Sequence, residues 1–252
     1  MNEGGRIITL IVKQVETPEI AVLAKRCGFD ALYVDLEYGV IRESAVGPIA
    51  QAAKKAGITA LVRLPSADPA CAARCLAAGA AGLVVPKVKS MEQVRAMVAV
   101  AKCAPIGQRP IDESWFPGDE AKLSADEKRA RINADTTLVI MLESPEALAI
   151  AEDIAAEPGV DILHIGTADL SRSLGIAYQY DHPEILAAYR RVIAAARAHG
   201  KVAGAGGMTV NKTIAQTVID MGVRFITGGN EWNFLQEAAT ARVAELRGLP
   251  LS

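Results

Sequence analysis

The stretch Leu138-Val139-Ile140-Met141-Leu142-Glu143-Ser144-Pro145-Glu146-Ala147-Leu148 decides the fold. Its apolar run shows no in/out alternation, which is how a strand covered on both faces reads, and such strands belong to parallel sheets flanked by helices. A carboxylate ends the run. Ser144-Pro145 then opens a helix, because serine caps a helix start and proline in the first turn lacks only an N–H that has no intrahelical partner. Glu143 is thereby placed at the C-terminal end of a buried strand, the face on which parallel α/β barrels build their sites.

The same unit repeats in both directions. Short β-branched runs at 7–12, 31–35, 60–63, 82–85, 138–142, 162–165, 202–205 and 225–227 read as strands. Ala-rich segments of helical spacing at 18–27, 43–56, 69–78, 91–101, 145–155, 183–199, 210–221 and 231–247 read as helices. Thr17-Pro18, Asp68-Pro69 and His182-Pro183 mark further helix starts, and Gly28, Gly57, Gly79, Gly200 and Gly222 mark helix ends. Eight such units predict a closed (β/α)8 TIM barrel of the α/β class, with a doubly wound open sheet as the alternative. A chain of 252 residues with 51% apolar content fits one domain over its whole length. The Pro- and Gly-punctuated segment 103–136, with Trp115-Phe116 in it, breaks the rhythm and reads as a long functional loop.

The polar residues fall at strand ends: Asp35 and Glu37, Arg63, Glu143, and Asp169 in Ile165-Gly166-Thr167-Ala168-Asp169-Leu170-Ser171. Glu143 and Asp169 together outline a metal site, since two carboxylates at the rim of an apolar barrel repel one another and a hard divalent cation offsets both the repulsion and the desolvation. A plainer reading leaves them as helix caps. Arg63 offers a planar fork that can hold a carboxylate or polarise a carbonyl, and it can equally rigidify the rim by pairing with Asp35 or Glu37. If the extended backbone continues past Asp35, the i, i+2 spacing sends Asp35 and Glu37 to the same side.

Composition excludes several classes. A net charge of −2 with dispersed basic residues offers no field for nucleic acid or anionic lipid. Neither a signal-peptide pattern nor an apolar run long enough to span a bilayer is present, so a cytoplasmic protein is expected. Cys27, Cys71, Cys75 and Cys103 form no CxxC pair and read as buried reduced thiols.

On these residues the chain resembles the HpcH/HpaI aldolase/citrate lyase family, and within it the metal-dependent class II pyruvate aldolases. The stretches GFDALYVDLEYG (28–39), LVRLPSADP (61–69), GAAGLVVPKV (79–88), APIGQR (104–109), VIMLESPEAL (139–148) and GVDILHIGTADLSRSLG (159–175) carry the resemblance. It implies a TIM barrel of the phosphoenolpyruvate/pyruvate-domain type. It also implies Glu143 and Asp169 as ligands of Mg2+, Mn2+ or Co2+, Arg63 against the pyruvyl carbonyl oxygen, Asp35 as a positioning acid, and Gly166, Thr167 and Ala168 around the substrate carboxylate. The implied reaction joins or splits a 4-hydroxy-2-oxo acid, pyruvate and an aldehyde through an enolate. A homohexamer built from dimers that exchange C-terminal helices is implied too, and the apolar stripe of 231–247 is compatible with it.

The chain departs from the family pattern at three places. Tyr38 stands where the family's histidine works with the aspartate, Met141 replaces a polar residue, and Pro110 follows Arg109 in place of glycine. A phenol with an ordinary pKa near 10 is a poor base at neutral pH. The proton carrier is therefore left among Tyr38, Glu37 and a metal-bound water, and His164 reads as a core histidine. A citryl- or malyl-type CoA-thioester lyase, a 2-oxo-acid decarboxylase and a silent oxo-acid-binding barrel are the alternatives, the chain's length and its Leu-Pro-Leu-Ser ending speaking against the CoA type.

Overall fold

In the computed structural model, which describes residues 5–207 and 211–249, each apolar run forms a parallel strand. The strands are β1 (Ile7–Val12), β2 (Ala31–Asp35), β3 (Thr59–Arg63), β4 (Gly82–Val85), β5 (Thr137–Leu142), β6 (Ile162–Gly166), β7 (Val202–Gly206) and β8 (Phe225–Asn230). They close into a barrel in chain order, with β8 pairing back onto β1. The helices are α1 (Glu19–Arg26), α2 (Val46–Ala56), α3 (Pro69–Ala77), α4 (Met91–Ala101), α5 (Ala125–Asp135), α6 (Pro145–Ala149), α7 (Ala151–Ala156), α8 (Thr167–Ser173), α9 (Pro183–Ala198), α10 (Lys212–Met221) and α11 (Glu231–Arg247). The chain folds as a (β/α)8 TIM barrel.

Strand alternation divides the core into two layers. Leu32, Val34, Val62, Leu83, Ile140, Leu163 and Ile165 face outward and pack under the helices. Tyr33, Leu61, Val84, Val139, Met141, Ile162 and Phe225 fill the lumen. Burying such a side chain is worth roughly 1.5–3 kcal/mol, whereas the Ser144 cap on α6 contributes about 1 kcal/mol. Packing thus holds β5 against α6, and the cap sets where the helix begins.

Lumen phase also positions the polar residues. The inward series run Tyr33–Asp35, Leu61–Arg63, Val139–Met141–Glu143 and Ile162–His164–Gly166, and the register sets Asp35 beside Arg63 and Met141 beside His164. His164 is consequently a lumen residue, tilted against Tyr33 and edge-on to Phe225.

Several expectations need correction. Segment 103–136 is not a structureless loop: it contains two short 3-10 turns, Glu113–Trp115 and Gly118–Lys122, and the helix α5. Only Lys128 and Ile132 of α5 are buried, so its hydrophobic periodicity is weak, but the capping box of Ser124 and Glu127 that starts it is present in the sequence. The helix expected over 145–155 is two, because Ile150 leaves helical geometry and ends α6 while opening α7. That break lets Ala147 on one side, and Ala151 and Ile154 on the other, all reach the core. Cys71, Cys75 and Cys103 are buried free thiols, but Cys27 is exposed at the end of α1. Val210, expected to begin a helix, and the Pro250-Leu251-Ser252 end lie outside the described residues. Among the described residues no helix is long and apolar enough to cross a membrane.

Candidate active site

The C-terminal ends of the strands converge on a cavity of about 220 Å³ whose lining includes Lys13, Tyr38, Arg63, Gly166, Asp169 and Arg172. One wall is braced by Arg63. Its Nε donates to Asp35 Oδ1 at 2.9 Å, its Nη2 donates to Oδ2 at 2.5 Å, and its Nη1 lies 3.1 Å from Glu37 Oε2. Asp35 Oδ1 also accepts the main-chain N–H groups of Glu37 and Tyr38 at 3.0 and 3.1 Å. The backbone therefore turns after Asp35 instead of continuing extended, and Glu37 reaches Arg63 through that turn, not by strand alternation. Burial works to raise the Asp35 pKa, but the Arg63 hydrogen bonds and charge, with the two N–H groups, overcome it and hold the carboxyl below its ordinary range.

Glu143 is buried and packs against Gly166, which lines the cavity. The Lys87 N–H donates to its Oε1 at 2.6 Å, and its buried Oε2 has no hydrogen-bond partner among the described residues. A Cβ on Gly166 would come within 2.8 Å of that Oε2, so the absence of a side chain there leaves the carboxylate room. Burial pushes the Glu143 carboxyl up to about 7; the Lys87 N–H pulls it down, and the negative charges of Asp169 and Glu37 push it further up. Lys87 achieves its contact from a left-handed backbone conformation, φ 56°, unusual for a non-glycine residue.

Asp169 lies in the first turn of α8, half-buried, and makes a close ion pair with Arg172. Its negative charge adds to the upward push on the Glu143 carboxyl, behind the larger effect of burial. No group of three or more His, Cys, Asp or Glu side chains gathers among the described residues, so a cation here would draw two carboxylates and keep its other positions for water or substrate. Magnesium-type sites commonly have that composition. The Glu143 Oε2, unpartnered among the described residues, and the space left beside it by Gly166 fit such an ion.

Tyr38 is half-exposed, with the cations of Arg63, Lys87 and Lys13 at 5.0, 5.5 and 5.9 Å from its ring centroid. Three cations do not acidify it. Partial burial and the negative charges of Glu37 and Asp169 raise the phenol above its ordinary value, against the pull of Lys87. His164 is held neutral, its pKa lowered by burial and by Arg63 to about 3.

Three cations were not anticipated: Lys13 just beyond β1, Lys87 just beyond β4, and Arg172 in α8. The first two stand at strand ends like Arg63, so the rule that found Arg63 would have found them had it been applied to every strand. Arg172 is a helix residue whose approach to Asp169 depends on where α8 begins.

A closed parallel barrel with polar side chains gathered in a cavity at its C-terminal mouth has the architecture on which barrel enzymes build their sites. Residues 13–238 match the family model HpcH/HpaI aldolase/citrate lyase. The chain is 31% identical to the 4-hydroxy-4-methyl-2-oxoglutarate aldolase of Hapsidospora irregularis, over 92% of this chain and 87% of that protein. It is 30% identical to a hydroxypyruvate/pyruvate aldolase of Delftia acidovorans, over 92% and 85% of the two chains. The solved HpcH/HpaI aldolase of Desulfitobacterium hafniense superposes with a TM-score of 0.87 at 27% identity, covering 98% of this chain and 95% of the other. The chain belongs to the HpcH/HpaI aldolase/citrate lyase family.

Proposed function

We propose that this barrel is a divalent-metal-dependent aldolase that splits or forms a 4-hydroxy-2-oxo acid, with pyruvate as one partner and an aldehyde or related carbonyl compound as the other. The single observation that carries this reading is the buried, half-satisfied Glu143 carboxylate beside Gly166. Glu143 and Asp169 would hold Mg2+, Mn2+ or Co2+, whose charge, when bound, lowers the energy of the enolate.

Arg63 then serves as the second electrophile. Its guanidinium is fixed by Asp35 and Glu37 and lines the cavity, so it can meet the pyruvyl oxygen as negative charge develops there without reorganising. Asp35 and Glu37 are positioning residues in this scheme. The backbone of Gly166, Thr167 and Ala168, at the cavity wall, lies where the substrate carboxylate would rest. In cleavage the C3–C4 bond breaks, the C4 hydroxyl loses its proton as it becomes the aldehyde carbonyl, and C3 of the enolate gains one to become the methyl of pyruvate. The raised phenol of Tyr38 suits a proton donor at neutral pH better than a base.

That same observation favours a second reading, oxo-acid decarboxylation, because loss of CO2 generates the enolate with no base. Solvent deuterium exchange at the methyl of pyruvate, followed by NMR, tests the aldolase: exchange that stops on chelation and returns with Mn2+ is expected. Decarboxylation of oxaloacetate without any pyruvate exchange would overturn the aldolase in favour of the second reading.

Assembly belongs to the same proposal. No residue of α11 is buried, and Trp232, Leu235, Val243 and Leu246 are exposed along it. The resemblance to dimer-exchanged hexamers gives this helix its occupant, a second copy of the chain. A cytoplasmic location is part of the proposal as well.

A further inference from the structure

We infer that His164 is a catalytic residue of this site, the group that takes and returns the proton in the steps that make and consume the enolate. The inference rests on the aldolase reading and supplies the base that reading lacks. His164 lines the cavity together with Arg63, Gly166, Gly206 and Thr227, although only 1% of it is exposed.

Glycines keep it in reach. The register sets His164 level with Gly204, and one inward step higher Gly166 stands level with Gly206. A Cβ on Gly204 would come within 2.7 Å of the His164 Nδ1, and a Cβ on Gly206 within 2.8 Å of its Nε2. The second would also lie 2.8 Å from Thr227 Oγ1, so two polar atoms converge on one space that a side chain would fill. Neither ring nitrogen makes a hydrogen bond among the described residues, and Nδ1 is buried. Buried polar groups are ordinarily paired, so an imidazole left bare against a cavity is expected to meet its partner in the ligand.

The other candidates for proton transfer are engaged. Asp35 and Glu37 hold Arg63, and Glu37 Oε1 also takes the Lys87 ammonium at 2.8 Å. Asp169 pairs with Arg172, and the Tyr33 hydroxyl donates to Met141 Sδ at 3.5 Å. His164 is neutral at rest because burial and Arg63 disfavour the imidazolium. In the tautomer with its proton on Nδ1, the Nε2 lone pair is available on the Gly206 side. The positive charge gained on taking a proton arises together with the negative charge of the enolate, and an opposite charge close by favours the charged form.

Placement of the substrate follows from the walls. With the carboxylate of the oxo acid on the backbone of Gly166 to Ala168 and its keto oxygen on Arg63, the end left over is C3, and the uncharged lining of Met141, His164 and Thr227 is left to meet it. In cleavage the C4 hydroxyl proton passes to Nε2 as the C3–C4 bond breaks and its electron pair moves into the enolate. The same proton then passes from Nε2 to C3 as the enolate oxygen becomes the carbonyl of pyruvate. One group serves both transfers, and no net proton is gained or lost.

His164→Phe fills the space with a ring that carries no proton. Solvent deuterium exchange at the methyl of pyruvate, followed by NMR, should fall at least about a hundredfold, the lower end of what a positioned acid–base group contributes. The dissociation constant of pyruvate, measured by titration calorimetry on the Mn2+-loaded protein, should stay close to that of the unsubstituted chain. His164→Ala is the second variant: exchange should be lost there too and recover in proportion to added imidazole, which the vacated space admits. Undiminished exchange in either variant, or a loss matched by an equal loss of pyruvate affinity, overturns the assignment to His164 and leaves the pyruvyl site standing. If pyruvate neither binds nor exchanges in the unsubstituted protein, the aldolase reading fails first and the inference with it.

Discussion

Lys87 donates its main-chain N–H to one oxygen of Glu143 at 2.6 Å, and the other oxygen is buried without a partner among the described residues. The left-handed backbone of Lys87 aims that N–H, and Gly166 keeps space beside the bare oxygen. A carboxylate desolvated and only half satisfied is costly, at roughly 1–3 kcal/mol for a missing partner. An arrangement of this kind is expected where an ion completes the shell.

Gly166→Ala tests the opening. The added methyl would fall 2.8 Å from Glu143 Oε2 and 3.1 Å from Met141 Cε, both the ends of flexible side chains, so the barrel is expected to fold with the carboxylate displaced. Mn2+ affinity should fall at least tenfold while the thermal midpoint changes little. Unchanged Mn2+ affinity would remove Glu143 from the ligand set.

The raised Glu143 pKa has a consequence for stability. With a folded value of about 7 above the ordinary 4.5, the protonated form favours folding. In metal-free protein this contribution is fully present below pH 4.5 and is lost as pH rises through about 7. A divalent ion reverses the penalty, because it binds the ionised form. The rise in melting temperature on adding Mn2+ should therefore be larger at pH 8 than at pH 5.5. Differential scanning calorimetry at both pH values checks it, and an equal rise at both would count against a Glu143–ion contact.

Arg63→Lys keeps the charge but removes the fork that spans both oxygens of Asp35. Asp35 is fully buried, so the weakened pairing should cost about 3 kcal/mol of stability, toward the lower end of the range for a broken buried pair. Loss of an electrophile aimed at the enolate should lower kcat about a hundred- to a thousandfold. Denaturant unfolding and steady-state kinetics separate the two effects. A variant with normal kcat would show that Arg63 only braces the rim.

Leu235 lies on α11 and is exposed, with Trp232 and Val243 exposed on the same helix. Leu235→Glu should leave the barrel's circular dichroism spectrum intact and shift the sedimentation coefficient toward the monomer. If the unmodified chain already sediments as a monomer, exchange of α11 between copies is excluded.

What the residues determined by themselves is the architecture and the depth of the site. Unalternating runs such as 138–142, ended by a carboxylate and followed by Ser144-Pro145, force a parallel strand covered on both faces, and eight of them close a ring. Local patterning carries that information because it depends on periods of two and of 3.6 residues, which a sequence displays directly. The α5 helix escaped this signal because its surface is polar almost all round, although its Ser124–Glu127 box was legible. Only the tertiary structure decided how the site is wired. That Asp35 turns the backbone and brings Glu37 onto Arg63, that Lys87 reaches Glu143 across 56 residues, and that Glu231 pins Lys13 across 218 are contacts between distant elements. Such contacts follow from strand register and ring closure, which fix which side chains meet, and no local periodicity encodes them.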